Sequence, residues 1–249
     1  MNSSIFEKYG DYYELLYKEK DYYQEAQYVN NLICRYGKNY KDILEFGSGT
    51  GKHGRILAKM GYTVHGIELS SNMVSKAKII SGFTCQQGDI TRTKIDRCYN
   101  VIISLFHVMS YLTKNEQLKS VFENASAHLS KGGLFIFDFW YTPAINYEKP
   151  SIRVKRVANQ EVEITRISEP VSLPNQNRVD INYSIYVRNL LNKKIDLFKE
   201  THSVRHFNTL EIDNMSKNYG FERILIEEFK TGNKISEATW GPCVVLKKI

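Results

Sequence analysis

Two carboxylates and a run of alternating glycines carry the most chemical information in this chain. Ile43-Leu44-Glu45-Phe46-Gly47-Ser48-Gly49-Thr50-Gly51-Lys52-His53-Gly54 reads as an apolar strand, a glycine-rich loop and the start of a helix. Gly47, Gly49 and Gly51 tolerate positive φ and present no Cβ, so a ligand can lie directly on the backbone. The helix start offers it unpaired N–H groups. Residues 49–54 also satisfy G-x-G-x-x-G, and Glu68 follows Gly49 by 19 residues, where a ribose-binding acid is expected. Taken alone, that spacing describes a dinucleotide loop. Glu45 describes something else. It ends the strand, where side chains of an open α/β sheet face the ligand crevice. A carboxylate there repels a pyrophosphate and attracts an ammonium or a sulfonium.

S-adenosylmethionine carries both of those cations and an adenosine as well. Glu68 ends the strand Thr63-Val64-His65-Gly66-Ile67 and can accept both ribose hydroxyls. Leu69 and Met73 are placed to flank an adenine, and Ser70-Ser71-Asn72 supplies N-cap chemistry for the next helix. Gly88-Asp89-Ile90 follows the third strand; Asp89 is suited to the adenine amino group and the Ile90 amide to a ring nitrogen. NAD remains the competing ligand, on the strength of the glycine spacing.

These residues need a scaffold that brings strand ends together. Strand-like runs at 42–46, 63–67, 83–86, 101–105 and 134–139 alternate with helical stretches at 53–60, 72–81 and 116–129. Short apolar strands separated by helices predict βαβ units and a parallel sheet covered on both faces. Residues 153–169, 178–188 and 195–207 alternate polar and apolar side chains, which predicts an antiparallel meander with one wet face. A helix over 209–219 and two strands at 221–229 and 242–247 complete the pattern. The expected architecture is one doubly wound, mostly parallel, seven-stranded Rossmann-like α/β domain. Its parts are a helical, tyrosine-rich lid (1–37), a core (38–141 and 208–249) and an antiparallel β insertion (150–207).

Composition narrows the class. The 249 residues hold 34 Lys+Arg and 27 Asp+Glu, a net charge of +7 spread over both halves without a basic stripe. That argues against a nucleic-acid partner. Cys34, Cys85, Cys98 and Cys243 show no metal-ligand spacing, so no metal site and no disulfide framework is expected. No apolar run is long enough to span a membrane, and a secretory leader is not expected. A cytoplasmic enzyme with a small-molecule acceptor, monomeric or homodimeric, is the expectation.

The E-F-G-S-G-T-G loop, the E-L-S after strand two and the G-D-I after strand three resemble, in order and spacing, the class I S-adenosylmethionine-dependent methyltransferases. Over most of its length the chain is similar to the N,N-dimethyltransferases of nucleotide-linked amino sugars. Lys20-Asp21-Tyr22 matches the K-D-Y that ends their lid, and Phe139-Trp140-Tyr141-Thr142-Pro143 matches their aromatic turn after strand five. The resemblance implies a methyl donor that leaves as S-adenosylhomocysteine, and an acceptor that is nucleotide-linked or phosphorylated. A phosphate- or phosphoramidate-type intermediate of surface polysaccharide is the alternative acceptor. Where the sugar enzymes carry a proposed catalytic histidine, this sequence has Tyr111.

An amine acceptor must lose a proton before or during attack, which suits a histidine base. His107, just past the fourth strand in Ser104-Leu105-Phe106-His107, stands above the methyl-donor site of such a fold. His107 and Tyr111 are therefore the expected catalytic pair, with Leu105 beside the donor. Tyr22 is expected to close on the donor, and Tyr9, Tyr13, Trp140 and Tyr141 to line the acceptor pocket.

Overall fold

The computed structural model describes residues 6, 8–37 and 39–249. The part of the lid reading that falls on 1–5 and on 7 lies outside the described residues.

Alternation of apolar strands with helices produces the expected parallel sheet. Its parallel strands are β1 (Asp42–Phe46), β2 (Thr63–Glu68), β3 (Phe83–Gln87), β4 (Tyr99–Ser104) and β5 (Leu129–Asp138). They are followed later in the chain by β11 (Phe221–Glu228) and β12 (Pro242–Lys248), and the order across the sheet is β11-β12-β5-β4-β1-β2-β3. β12 runs antiparallel to both β5 and β11. The chain leaves β1 toward β2 and later returns to its other side as β4. A crevice therefore opens beyond the carboxyl ends of these strands, at the topological switch point.

Strand alternation distributes the core over two faces. Leu44 and Phe46 point to the side filled by Leu118, Val121, Phe122 and Ala125 of α5 (Asn115–His128) and by Ile212 of α7 (Thr209–Asn218). Ile43, Val101, Ile103 and Ile136 point to the other side, under Ala26, Val29 and Ile33 of α2 (Tyr22–Tyr36) and Leu57 of α3 (Lys52–Lys59). Asp21 starts α2 by accepting the Gln24 N–H at 2.9 Å. Of the K-D-Y element, the aspartate thus has a local structural reason.

Element boundaries differ from the sequence reading in several places: β5 begins at Leu129 rather than 134, and two further differences have a local cause. The helix expected over 72–81 is the short α4 (Ser71–Lys76), because Ile80 bridges back to Phe83 across Gly82, whose φ is +82°. The run 153–169 divides into β7 (Arg153–Ala158) and β8 (Val162–Leu173), since the Asn159 side chain accepts the N–H groups of Glu161 and Val162 and closes a turn. β8 also runs straight through Pro170. β7 stops opposite Ser168, so the missing N–H of Pro170 falls where that flank is open.

β8, β9 (Arg178–Asn189) and β10 (Ile195–Phe207) form, with β7, the antiparallel meander. The end of β10 also pairs with β6 (Trp140–Tyr141), directly after β5, and α6 (Thr142–Tyr147) follows β6. The second sheet thereby hangs over the crevice. Between the two sheets lies α1 (Lys8–Leu16), whose Tyr9 and Leu16 pack on Ile164, Ile185 and Val187. Its outer face is tied to α4 through Asp11, which accepts from Asn72 at 2.9 Å and pairs with Lys76 at 2.6 Å. No helix among the described residues is long and apolar enough to cross a membrane.

Candidate active site

The crevice is a cavity of about 900 Å³ that runs from the glycine loop to the second sheet. That is near the upper end for a small-molecule site, enough for two reactants side by side. Of the residues singled out in the sequence, Gly47, Gly49, Glu68, Leu69, Met73, Ile90, Leu105, His107, Tyr111, Tyr9, Tyr13, Tyr22 and Trp140 line it. Glu45, Gly51, Asp89 and Tyr141 stand behind the wall.

Gly49 has a φ of +55°, and a Cβ built on it would touch nothing within 4 Å, so its bare backbone faces open cavity. Gly51, at +75°, does a different job: a Cβ there would lie 2.4 Å from the Phe83 ring. It lets the loop pack on the sheet rather than on a ligand. Glu68 links the loop to the end of β2, with Oε2 accepting the Gly49 N–H and Oε1 the Ser70 N–H, both at 2.9 Å. Each oxygen retains acceptor capacity toward the cavity. Burial pushes Glu68 up, against the pull of those N–H groups.

Glu45, expected to meet a ligand, does not line the cavity. Ile43 and Glu45 share the strand face covered by α3, and a Cβ on Gly54 would sit 2.6 Å from Glu45 Oε2. The carboxyl is thus enclosed under the loop. Its Oε2 is buried without a hydrogen-bond partner in the described structure. Burial, and then the charge of Glu68, push it up to about 8. A carboxyl so placed favours its neutral form.

Asp89 is likewise occupied. Its Oδ1 accepts the Thr91 N–H at 2.9 Å and hydroxyl at 2.7 Å, and its Oδ2 accepts from Arg92. It shapes the turn that presents Gly88 and Ile90 to the cavity. Tyr141 packs into the core against Phe139 instead of facing the crevice.

Past β4, Phe106 and His107 both adopt left-handed backbone, at φ +64° and +62°. Two such residues in succession, neither of them glycine, store strain of about 1–3 kcal/mol each. Asp138, at the buried end of β5, holds them there. Both of its oxygens accept the His107 N–H at 3.1 Å, and Oδ2 lies 2.8 Å from His107 Nδ1. Asp138 thus anchors the His107 backbone and places a carboxylate beside the imidazole, although Nδ1 itself lies outside hydrogen-bond geometry and is buried without a partner. Asp138 was missed in the sequence, although an acid ending the apolar run Phe135-Ile136-Phe137 is a visible signal.

A second polar chain crosses the roof. Tyr111 shares a hydrogen bond with His202 Nδ1 at 2.9 Å, and His202 Nε2 lies 3.2 Å from Glu200. Glu200 also accepts the N–H groups of Phe6 and Tyr9, tying the start of the lid to β10. Below it, His53 on α3 pairs with Glu25 of α2 at 2.7 Å, and Lys20 pairs with the same carboxylate. Burial alone raises Glu25, yet these two partners hold it below the usual carboxylate range. Thr50 of the glycine loop donates to Glu14 of α1 at 2.7 Å. Trp140 and Trp240, both on the cavity wall, meet edge to face at 5.7 Å.

Residues 43–133 match the family model described as a methyltransferase domain. A dTDP-3-amino-3,4,6-trideoxy-alpha-D-glucopyranose N,N-dimethyltransferase of Streptomyces venezuelae is 24% identical over 208 residues, covering 82% of this chain and 86% of that enzyme. Among solved structures, DesVI of Streptomyces venezuelae superposes with a TM-score of 0.82 at 22% identity, over 97% of this chain and 98% of that one. An amino pentose methyltransferase of Micromonospora echinaspora, solved with S-adenosylmethionine bound, has a TM-score of 0.77 at 20% identity, over 100% of both chains. At these identities the structural likenesses speak for the fold.

Proposed function

We propose that this S-adenosylmethionine-dependent methyltransferase methylates the amino nitrogen of a nucleotide-linked amino sugar. The observation that carries the reading is the continuity of the cavity: its wall takes in the glycine loop and Glu68, residues of the second sheet, and His107, beside which Asp138 lies buried. The similarity to a dTDP-amino-sugar N,N-dimethyltransferase over most of the chain supports it.

The residues fit the methyl donor. Gly49 offers a bare, left-handed backbone to the cavity, Glu68 keeps free lone pairs beside it, and Glu45 holds a buried carboxyl oxygen without a partner under the same loop. When bound, S-adenosylmethionine supplies an electrophilic methyl group on a sulfonium sulfur. Glu68 takes the ribose hydroxyls, and Leu69, Met73 and Ile90 enclose the adenine. Tyr9, Tyr13 and Tyr22 exclude water and turn aromatic faces to the cation. Leu105 sits at the donor side of His107. Tyr111, held by His202, orients the acceptor between Trp140 and the lid.

His107 accepts the proton that an acceptor ammonium must lose to become a nucleophile. Asp138 keeps the ring in one orientation and stabilises the imidazolium that forms. With the amine positioned on the donor, alignment supplies much of the remaining rate. Incubation with S-adenosylmethionine and dTDP-linked 3-amino sugars is expected to give products heavier by about 14 and 28 mass units, one and two methyl groups. Methylation of a phosphorylated acceptor lacking an amine, with no product from any amino-sugar nucleotide, would sink the assignment.

Glu45 makes a separate, measurable contribution. A carboxyl raised to about 8 in the free protein is ionised by a nearby cation, so donor binding releases a proton. Affinity should rise with pH up to about 8 and then level off. At pH 7, calorimetry in buffers of different ionisation enthalpy should detect close to one proton released per site. Glu45→Gln should abolish it; the same proton count in both proteins would contradict the role. The sign for folding is opposite: a raised carboxyl pKa costs the ligand-free protein stability as pH climbs toward about 8.

A further inference from the structure

A glycine packs against the tip of the His107 ring. Gly241 immediately precedes β12, and a Cβ built on it would lie 2.9 Å from His107 Cε1, with Nδ1 at 3.8 Å and Nε2 at 3.9 Å. Those are the three nearest atoms, so a side chain at this position would meet the imidazole first, between its two nitrogens. The backbone itself does not call for glycine. Gly241 is not among the residues with positive φ, and its conformation is open to alanine. What requires the missing side chain is the ring.

The backbone is pinned on both sides of this contact. The Gly241 carbonyl accepts the Phe229 N–H at 3.0 Å, and the Trp240 carbonyl accepts the Tyr141 N–H at 3.2 Å. Two residues on, Cys243 pairs with Asp138 across the ladder between β12 and β5. The strand that follows Gly241 is thereby tied to the strand that ends in the carboxylate beside His107. On the histidine side, the left-handed Phe106-His107 backbone is held through the His107 N–H by both Asp138 oxygens. The Trp140 ring stands 6.5 Å from the imidazole at an interplanar angle of 82°, and the Phe106 ring 5.9 Å from it. His107 keeps 29% of its side chain exposed, on the cavity wall. With both backbones fixed, the part that yields to an added methyl is the imidazole, the free end of a side chain.

We propose that Gly241 is a positioning residue for methyl transfer: the absence of a side chain there sets how far back the His107 ring seats, and so where its nitrogens stand toward the acceptor. The inference rests on the role of His107 as the base in the proposed function above. Carbon atoms pack at about 3.5–4.0 Å, so Gly241→Ala drives the ring off by about 1 Å. A displacement of that size costs a positioned group up to about 100-fold in rate. Its cost to the fold is small, since one ring leaves its preferred rotamer and no backbone has to move.

The test is a double-mutant cycle on the full chain, read in turnover and in melting. With S-adenosylmethionine and a dTDP-linked 3-amino sugar, Gly241→Ala is expected to lower kcat by about 10- to 100-fold, with KM and S-adenosylhomocysteine affinity within a few fold. Added to His107→Ala, which empties the space the new methyl needs, the same substitution should cost nothing more. Melting of the ligand-free chain needs no acceptor. There Gly241→Ala should lower the midpoint by about 1–6 °C when His107 is present, and leave it unmoved on the His107→Ala background. Full turnover by Gly241→Ala while His107→Ala is slow overturns the positioning role and leaves the base assignment standing. Equal losses on both backgrounds, in rate or in melting, overturn it as well, because Gly241 then acts on something other than the ring. Full turnover by His107→Ala removes the base and the role of Gly241 with it. If the unsubstituted chain leaves the amino sugar unmethylated, the proposed acceptor fails and melting decides: a shift that persists on His107→Ala overturns the ring contact, and one that vanishes supports it.

Discussion

Glu68→Ala is expected to weaken S-adenosylhomocysteine binding by about 100- to 1,000-fold. Hydrogen bonds to a charged group contribute about 1.5–3 kcal/mol each, so two ribose hydroxyls on one carboxylate sum to about 3–6 kcal/mol, and the expected loss takes the lower part of that range. The substitution also strips the Gly49 and Ser70 N–H groups of their acceptor, so the loop that carries the donor loses its tie to β2. Part of the loss is offset, because removing the Glu68 charge lets Glu45 ionise more readily. Glu123→Ala is the matched control, an exposed α5 carboxylate 3.8 Å from Lys119. Calorimetry giving the same affinity for both variants would end the ribose assignment.

His107→Ala should lower kcat by about 100- to 10,000-fold, the range for removal of a general base, with S-adenosylhomocysteine affinity left within a few fold. Asp138→Asn should cost a comparable amount through a different route. It leaves the ring in place but removes the negative charge 2.8 Å from Nδ1 and weakens acceptance of the strained His107 N–H. Since the two groups act as one unit, the double variant should be little slower than the worse single one. Multiplicative losses would show that they work independently. Unaltered turnover of His107→Ala on the true acceptor would make His107 a wall residue only.

Much of this organisation was legible before any fold was drawn. Strand-to-loop-to-helix punctuation around Gly47, Gly49 and Gly51 is local, and so is the placing of Glu68 at the end of its strand. Both depend on residue type and short spacing, and the positive φ values follow directly. Glu45 shows the boundary of such reasoning. Its position at a strand end suggested the crevice, but the period of two that puts Ile43 under α3 puts Glu45 there as well. Asp89 reads as a ligand contact until Thr91 and Arg92 are seen to occupy it. Neither acid lines the cavity: Glu45 is enclosed under α3, and Asp89 is engaged by Thr91 and Arg92.

By itself, the sequence determined the alternating α/β order, the strand ends that border the crevice, the glycine loop and the tyrosine-rich first helices, since each is written in residues a few positions apart. Tertiary structure alone decided the pairings: Asp138 beneath His107, His202 behind Tyr111, and Arg166 against Tyr9 at a separation of 157 residues. The reason is physical. Periodicity specifies which way a side chain turns, while the partner it meets depends on how two sheets and a lid close over one crevice.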